Sequence, residues 1–262
     1  MALGRSAAVV VGSFDLAESD RVVTFFSRDF GKIRGVARAA RRMRSRFGSA
    51  LELLTLGELV FFDGGRSDLV QIDHFDIVRP FDRVRDDLAR LGQAAWIVEC
   101  VARLTADRDP QAALYGLLVR ALRSLEAGAA PLRVAVAFGV RCVDVLGHRL
   151  RLDTCVACGR TAAGEAIVTV DVEAGGRLCP GCARGIGDAL TVPRQTVHDL
   201  IRLRRMAWSE ALAAPLGPGE REIRAILEAH VGCLIGHPTR TSRFVREVER
   251  FSPTALRSGE PI

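Results

Sequence analysis

The sequence predicts an α+β chain of several modules, and three observations carry that prediction. The first eighty residues hold five short runs rich in β-branched and aromatic residues, the mark of strands. After Arg79-Pro80 the apolar spacing changes to the three- and four-residue steps of helices. Two Cys-x-x-Cys pairs then interrupt the helical half. At 262 residues the chain is long enough for two or three small domains. An apolar fraction of 48 % with 26 % charged residues excludes wholesale disorder.

The strands are expected at Ser6 to Phe14, Arg21 to Ser27, Lys32 to Ala37, Leu51 to Phe62 and Leu69 to Ile77. Asp15 to Asp20 turns the chain between the first two, and Asp29-Phe30-Gly31 makes a tight connection into the third. Gly57 marks a bulge or bend, and Asp63-Gly64-Gly65-Arg66 reads as a hairpin turn. Five strands with an irregular excursion after the third describe a small barrel, of which the oligonucleotide-binding (OB) fold is the best-known form.

Beyond Pro80, Asp82 is the expected N-cap of a helix with Val84, Leu88, Leu91, Ala95, Val98 and Ala102 on one face, widened by Trp96, Ile97, Val101 and Leu104. Asp109-Pro110 opens a second, with Leu114, Leu117, Leu118, Ala121, Leu122 and Leu125 inward, and Pro131 opens a third that ends near Gly147. Two more follow the cysteine-bearing insert, Pro193 to Ala214 and Glu220 to Ile235. His230 lies on the apolar stripe of the last and reads as a hydrogen-bonded core residue; Cys100 and Cys142 read as packing residues. The expected domains are 1–80, an OB barrel; 81–150 and 187–251, the two parts of a helical domain; 151–186, a zinc-binding insert; and 252–262, a flexible tail.

Charge is unevenly placed. The chain carries a formal charge of +6, and its first fifty residues, with ten basic against four acidic side chains, already supply that surplus. Within them the stretch Gly31 to Phe47 holds seven cations and no acid: Lys32, Arg34, Arg38, Arg41, Arg42, Arg44 and Arg46. Such a run repels itself unless an anion neutralises it, and a nucleic-acid backbone is the natural polyanion. A solvated arginine-rich face is the competing reading, since Lys32 is the chain's only lysine. On a barrel, arginines leaving a strand into a loop can track phosphates. Phe30 and Phe47 flank the run, each suited equally to core or to stacking.

Cys155-Val-Ala-Cys158 and Cys179-Pro-Gly-Cys182, twenty residues apart, have the spacing of a four-cysteine structural zinc site. Each pair forms a turn that aims two thiolates at one point, with Gly159 and Gly181 supplying unusual backbone angles nearby. A redox pair would want its motif between a strand and a helix, which neither has. Seven cysteines that do not pair off, four of them in these motifs, point to a reducing compartment, the cytoplasm by default. The apolar run Ala7 to Val11 after Arg5 is too short for a signal peptide, and no apolar stretch approaches the ~20 residues that cross a bilayer.

Catalytic signatures are missing. A catalytic zinc needs an open coordination position, which four cysteines do not leave. No histidine is followed two residues later by Glu, and Leu178 rather than Pro precedes Cys179, so the deaminase pattern fails. No GxxxxGK[ST] loop, GxSxG elbow or HExxH helix is present. A binding protein is expected, not an enzyme, and no small-molecule substrate.

Glu18-Ser19-Asp20-Arg21-Val22-Val23-Thr24-Phe25-Phe26, Gly31-Lys32-Ile33-Arg34-Gly35-Val36-Ala37-Arg38, Ser45-Arg46-Phe47-Gly48 and Leu69-Val70-Gln71-Ile72, together with the cysteine pairs, resemble the RecO family of bacterial recombination mediators. The resemblance spans Ser6 to about Val248. It implies an OB-fold N-terminal domain, a helical domain interrupted by a zinc module, and no catalysis. It also implies binding and annealing of single- and double-stranded DNA, and work with RecR to help RecA replace single-strand-binding protein, whose tail docks on the helical domain. A cytoplasmic, nucleoid-associated location goes with that role. The basic positions carried over are Lys32, Arg34, Arg38, Arg41, Arg42, Arg44 and Arg46. The alternative class is a zinc-containing OB-fold protein that binds RNA or serves transcription.

Overall fold

The computed structural model describes residues 2–242 apart from 17, 43–44, 66, 162–163 and 188. Arg44, the end of the expected second helical segment (243–251) and the expected tail (252–262) lie outside the described residues. Compact packing divides the chain into two units, one running to Ala127 and the other beginning at Gly128. The change of period at Pro80 falls inside the first.

In the first unit β1 (Ala2–Leu16) pairs antiparallel with β2 (Asp20–Ser27) on one side and with β4 (Leu56–Asp63) on the other. β2 pairs with β3 (Gly31–Ala37), and β4 with β5 (Leu69–Arg79). A short parallel ladder, Arg34 to Val36 against Leu69 to Gln71, closes β3 onto β5. The order β1-β2-β3-β5-β4 is that of a closed five-stranded OB barrel. Alternation does the building: Ile33 and Ala37 on β3, Val23 and Phe25 on β2, Ala8 and Val10 on β1, and Val70, Ile72 and Phe75 on β5 point inward to one core. The Phe25 and Phe75 rings meet at 5.0 Å.

One sequence expectation shifts here, and one left open is settled. Leu51 to Thr55 is a turn and not the start of a strand, because Leu51 and Leu54 are wanted elsewhere. Phe47, Ala50 and Leu51 drop from the β3–β4 connection into the barrel core, each large side chain contributing about 1.5–3 kcal/mol by leaving water. Phe47 is therefore a core residue. The irregularity expected at Gly57 is present as a register shift between Leu56 and Gly57 in the β4–β5 ladder.

Three helices complete this unit: α1 (Asp82–Arg85), α2 (Leu88–Leu104) and α3 (Ala112–Glu126). The single helix expected from Asp82 is broken. Asp82 lies inside the short α1, and Asp87 caps α2 by accepting the Arg90 amide at 2.9 Å. The break rotates the buried stripe to Gln93, Trp96, Ile97, Cys100 and Val101 and leaves Leu88 62 % exposed. Likewise α3 starts at Ala112 behind Gln111, not at Asp109-Pro110, but its inward leucines are those the spacing gives. Residues 105–110 instead lie along β3. Asp107 bridges to Lys32, and Gly31, at φ +66°, comes so close that a Cβ there would sit 2.0 Å from the Asp109 carbonyl oxygen.

In the second unit α4 (Pro131–Val145) packs on α7 (Gly219–Ile235) and α5 (Arg194–Arg205). The helix expected over Pro193 to Ala214 is two, α5 and α6 (Trp208–Ala213), separated by extended backbone at Met206 and Ala207. His230 is buried on α7, and its Nε2 donates to the His148 carbonyl at 2.6 Å, the core role its stripe implies. A three-stranded antiparallel sheet, with β6 (Ile167–Asp171) between β7 (Gly176–Leu178) and β8 (Leu190–Pro193), carries the cysteine turns.

Candidate nucleic-acid face and metal centre

The outer face of β1, β2 and β3 is set by register. Cross-strand partners point to one side of a sheet, so Arg34 shares its side with Thr24, Val36 with Val22, and Lys32 with Phe26. The Lys32 end of this face is closed. Its ammonium lies 2.8 Å from the Ala102 carbonyl, 2.6 Å from the Thr105 carbonyl and 3.2 Å from Asp107 Oδ1, with 14 % of the side chain exposed. Those carbonyls end α2, where they have no helical partner and carry the negative pole of the helix. Phe26, next to it, is buried with its ring 6.4 Å from Tyr115 of α3.

Arg34 is half-exposed and reaches Asp107 Oδ2 at 3.1 Å. Arg38, Arg41 and Arg42 follow on the turn after β3, whose first bend is pinned by Asp20. That carboxylate accepts the Ala39 amide at 2.8 Å, holding Ala39 at φ +56°, and the Ser19 hydroxyl at 2.9 Å. The same amide, then the hydroxyl, with the nearby Arg38 and Arg42 charges, hold the Asp20 carboxyl below the usual carboxylate range. Arg41 pairs with Asp15 Oδ2 at 3.4 Å. Arg38 and Arg42 are exposed and have no acid at ion-pair distance among the described residues. Arg46 lies over the Phe47 ring, 5.0 Å from its centre, and its Nη2 is 3.4 Å from the Ile72 carbonyl.

Of the seven cations expected at one site, then, Arg34, Arg38, Arg41, Arg42 and Arg46 line the open part of the barrel edge and its loop, Lys32 turns into the protein, and Arg44 lies outside the described residues. Asp20 and Asp107, which orient these groups, could not be singled out in sequence: each is one acid among 31. Phe30 is 37 % exposed at the opposite end of β3 and packs edge-on against Phe61, centres 5.3 Å apart.

The four cysteine sulfurs of Cys155, Cys158, Cys179 and Cys182 lie within 4.8 Å of one another. Cys158 Sγ and Cys179 Sγ are 3.7 Å apart, and a tetrahedron with metal–sulfur bonds of ~2.3 Å has edges of about 3.8 Å. The residues therefore fit a four-thiolate metal site. One pair sits on a turn closed by the Cys155 amide to the Arg160 carbonyl and by Gly159, at φ +73°, to the Cys155 carbonyl; the other follows β7 directly, where the Cys182 and Ala183 amides bond the Cys179 carbonyl. Gly181 takes no left-handed angle, contrary to expectation. Hydrogen bonds from the Cys179 and then the Cys158 backbone bring the Cys155 thiol down to about 6, and the Cys182 backbone lowers Cys179. Cys182, bonded to Cys179 and Cys158, is pushed up to about 12. A bound dication would replace the hydrogen bonds in which Cys182 donates that last proton and favour its loss. Elsewhere Cys100 and Cys142 are buried among apolar side chains, and burial pushes Cys142 up to about 12.

No helix among the described residues is long and apolar enough to cross a membrane. Comparison with known proteins covers most of the chain. Residues 1–81 match the family described as Recombination protein O N terminal, and residues 85–243 the family Recombination protein O C terminal. A protein named DNA repair protein RecO from Anaeromyxobacter dehalogenans (strain 2CP-C) is 40 % identical over 231 residues, 86 % of this chain and 90 % of its own length. Its namesake from Geobacter sulfurreducens is 34 % identical over 246 residues, covering 93 % and 98 % of the two chains. One from Bifidobacterium animalis subsp. lactis is 34 % identical over 212 residues, covering 80 % and 86 %. With both family regions in order and relatives matched over nearly their full length, this chain belongs to the RecO family.

Proposed function

We propose that this chain is a non-catalytic DNA-binding mediator of DNA repair. It binds single- and double-stranded DNA, anneals complementary strands, and with RecR assists RecA loading onto DNA covered by single-strand-binding protein. Family membership supports the repair role, and the arginine edge supports the contact with DNA. The observation that carries the reading is the open end of the barrel face, where Arg38 and Arg42 are exposed without an acid at ion-pair distance among the described residues, beside Arg34, Arg41 and Arg46. Such a surface neutralises two phosphate backbones at once while leaving base edges free to pair, which is what annealing needs. Lys32 serves this surface as its anchor and makes no phosphate contact. The four-cysteine centre holds a structural zinc ion through Cys155, Cys158, Cys179 and Cys182.

The test is the salt dependence of single-stranded DNA binding. Changing Arg38, Arg41 and Arg42 together to Ala should lower the slope of log affinity against log salt by about two, at ~0.7 for each phosphate no longer neutralised, and should slow annealing in parallel. An unchanged slope would move DNA to another surface. Strong preference for RNA without annealing would replace the repair reading with an RNA-binding one.

A further inference from the structure

Phe14 is an exposed aromatic ring on the outer face of the barrel, and a bulge puts it there. On β1, Val10 points into the core opposite Phe25. Strict alternation would send Phe14, four residues on, to the same inner side. The β1–β2 register shifts between Val10 and Gly12, so that Gly12 faces Thr24 and Phe14 faces Val22. One extra residue reverses every side chain beyond it. Phe14 is consequently 57 % exposed on the outer face, in one row with Val22 and Val36 and one row from Gly12, Thr24 and Arg34.

The ring is flanked on its face by Leu16 and Asp20 toward the turn and by Gly12, Thr24 and Arg34 on the other side, and its own face is accessible to an unpaired nucleobase. Val22, its partner across the ladder, is 1 % exposed and so is covered, which leaves Phe14 itself as the accessible apolar surface of that row. Arg34 stands two strands away and one row along, about 12 Å at ordinary strand geometry, and Arg38 follows on the turn after β3. The other end of this face is filled by Lys32 and Phe26 under the chain's own α2 and α3, whereas the Phe14 ring is exposed. An isolated aromatic ring bordered by arginines is the arrangement that holds single strands without reading sequence, the ring taking a base face and the guanidinium groups the phosphates. A base in a duplex has no free face to offer.

We infer that Phe14 is the base-stacking platform of a single-stranded DNA subsite on the outer face of β1–β3, with Arg34 and Arg38 as its phosphate partners. The inference rests on the DNA-binding reading of this surface and adds to it a preference for unpaired strands. The experiment uses the full-length protein with a single-stranded oligonucleotide carrying 2-aminopurine, and a duplex of the same length. Phe14→Leu keeps an apolar side chain and removes the π face. It should weaken single-strand affinity about tenfold, within the ~5- to 150-fold that one stacked base supplies, and abolish the quenching of 2-aminopurine. Duplex affinity and the single-strand salt slope should stay as in the parent protein, since no charge is removed. Phe14→Tyr should restore affinity and quenching together. If Phe14→Leu binds and quenches like the parent while the triple arginine variant still lowers the salt slope, the stacking subsite is refuted and the DNA-binding reading stands. If neither variant changes single-strand binding, both fall.

Discussion

Lys32 is the only lysine in a chain with 37 basic side chains, and its surroundings explain why arginine does not replace it. Three oxygens converge on its ammonium, from Ala102, Thr105 and Asp107, and an ammonium has three donors in a compact cluster. A planar guanidinium is larger and sends its donors out in a fixed fork, which does not match three converging acceptors in a nearly closed site. Lys32→Met should therefore cost about 2–3 kcal/mol of stability, the scale of a buried hydrogen-bonded charge, and Lys32→Arg should recover little of it. Urea unfolding measures this, and the salt slope for DNA should stay within error of the parent in both variants. A Lys32→Arg protein as stable as the parent would refute the anchor. The run of seven cations visible in sequence thus divides at residue scale: position in a run says nothing about which charge a neighbouring helix end claims.

At the scale of elements, much was legible because local pattern and tertiary need agreed. The five strands, the leucine face of α3 and the pairing of the cysteines all follow period and spacing. What was not legible came from features without a period of their own. The β1 bulge is a register event between two strands, so the run SAAVVVGSF shows no trace of it and does not say which face Phe14 takes. The split of the first helix depends on Asp87 outcompeting Asp82 as a cap, two identical residue types five positions apart. His230 shows the opposite case, where an element's stripe gave the role correctly and the structure adds a pH response. Burial lowers its pKa below the ordinary value of 6.5, while the hydrogen bond to the His148 carbonyl partly offsets this. The unfolded chain therefore binds the proton more readily than the folded one. The stabilising contribution is complete above 6.5 and is lost as pH falls from there through the folded pKa. Thermal melts between pH 5 and 8 should show this as a decline on the acid side. His230→Gln, which cannot titrate, should flatten it relative to the parent; an identical pH profile in the variant would show that His230 does not couple the α7 packing to pH.

The whole molecule places two kinds of site in two compact units, the arginine face in the unit that ends at Ala127 and the four-cysteine centre in the unit that begins at Gly128. Two-state unfolding is not the expectation for such a chain, and each site gives a handle on its own unit. In small zinc modules the metal contributes ~10–16 kcal/mol that is folding energy, so a strong chelator should collapse the stability of the cysteine-bearing unit. On the proposed reading a single-stranded oligonucleotide has its site on the folded barrel unit, and at about a hundred times its Kd it should stabilise that unit by ~2.7 kcal/mol. Differential scanning calorimetry of the full-length protein should resolve two transitions, one lowered by chelator and restored by zinc, the other raised by oligonucleotide. Cys155→Ser should reproduce the chelator's effect, and the triple arginine change should erase the oligonucleotide's. Chelator without effect on either transition would exclude a structural metal at Cys155, Cys158, Cys179 and Cys182. An oligonucleotide that raises the zinc-sensitive transition alone would move DNA from the barrel to the helical unit, since a ligand stabilises only the part of the molecule whose folding creates its site.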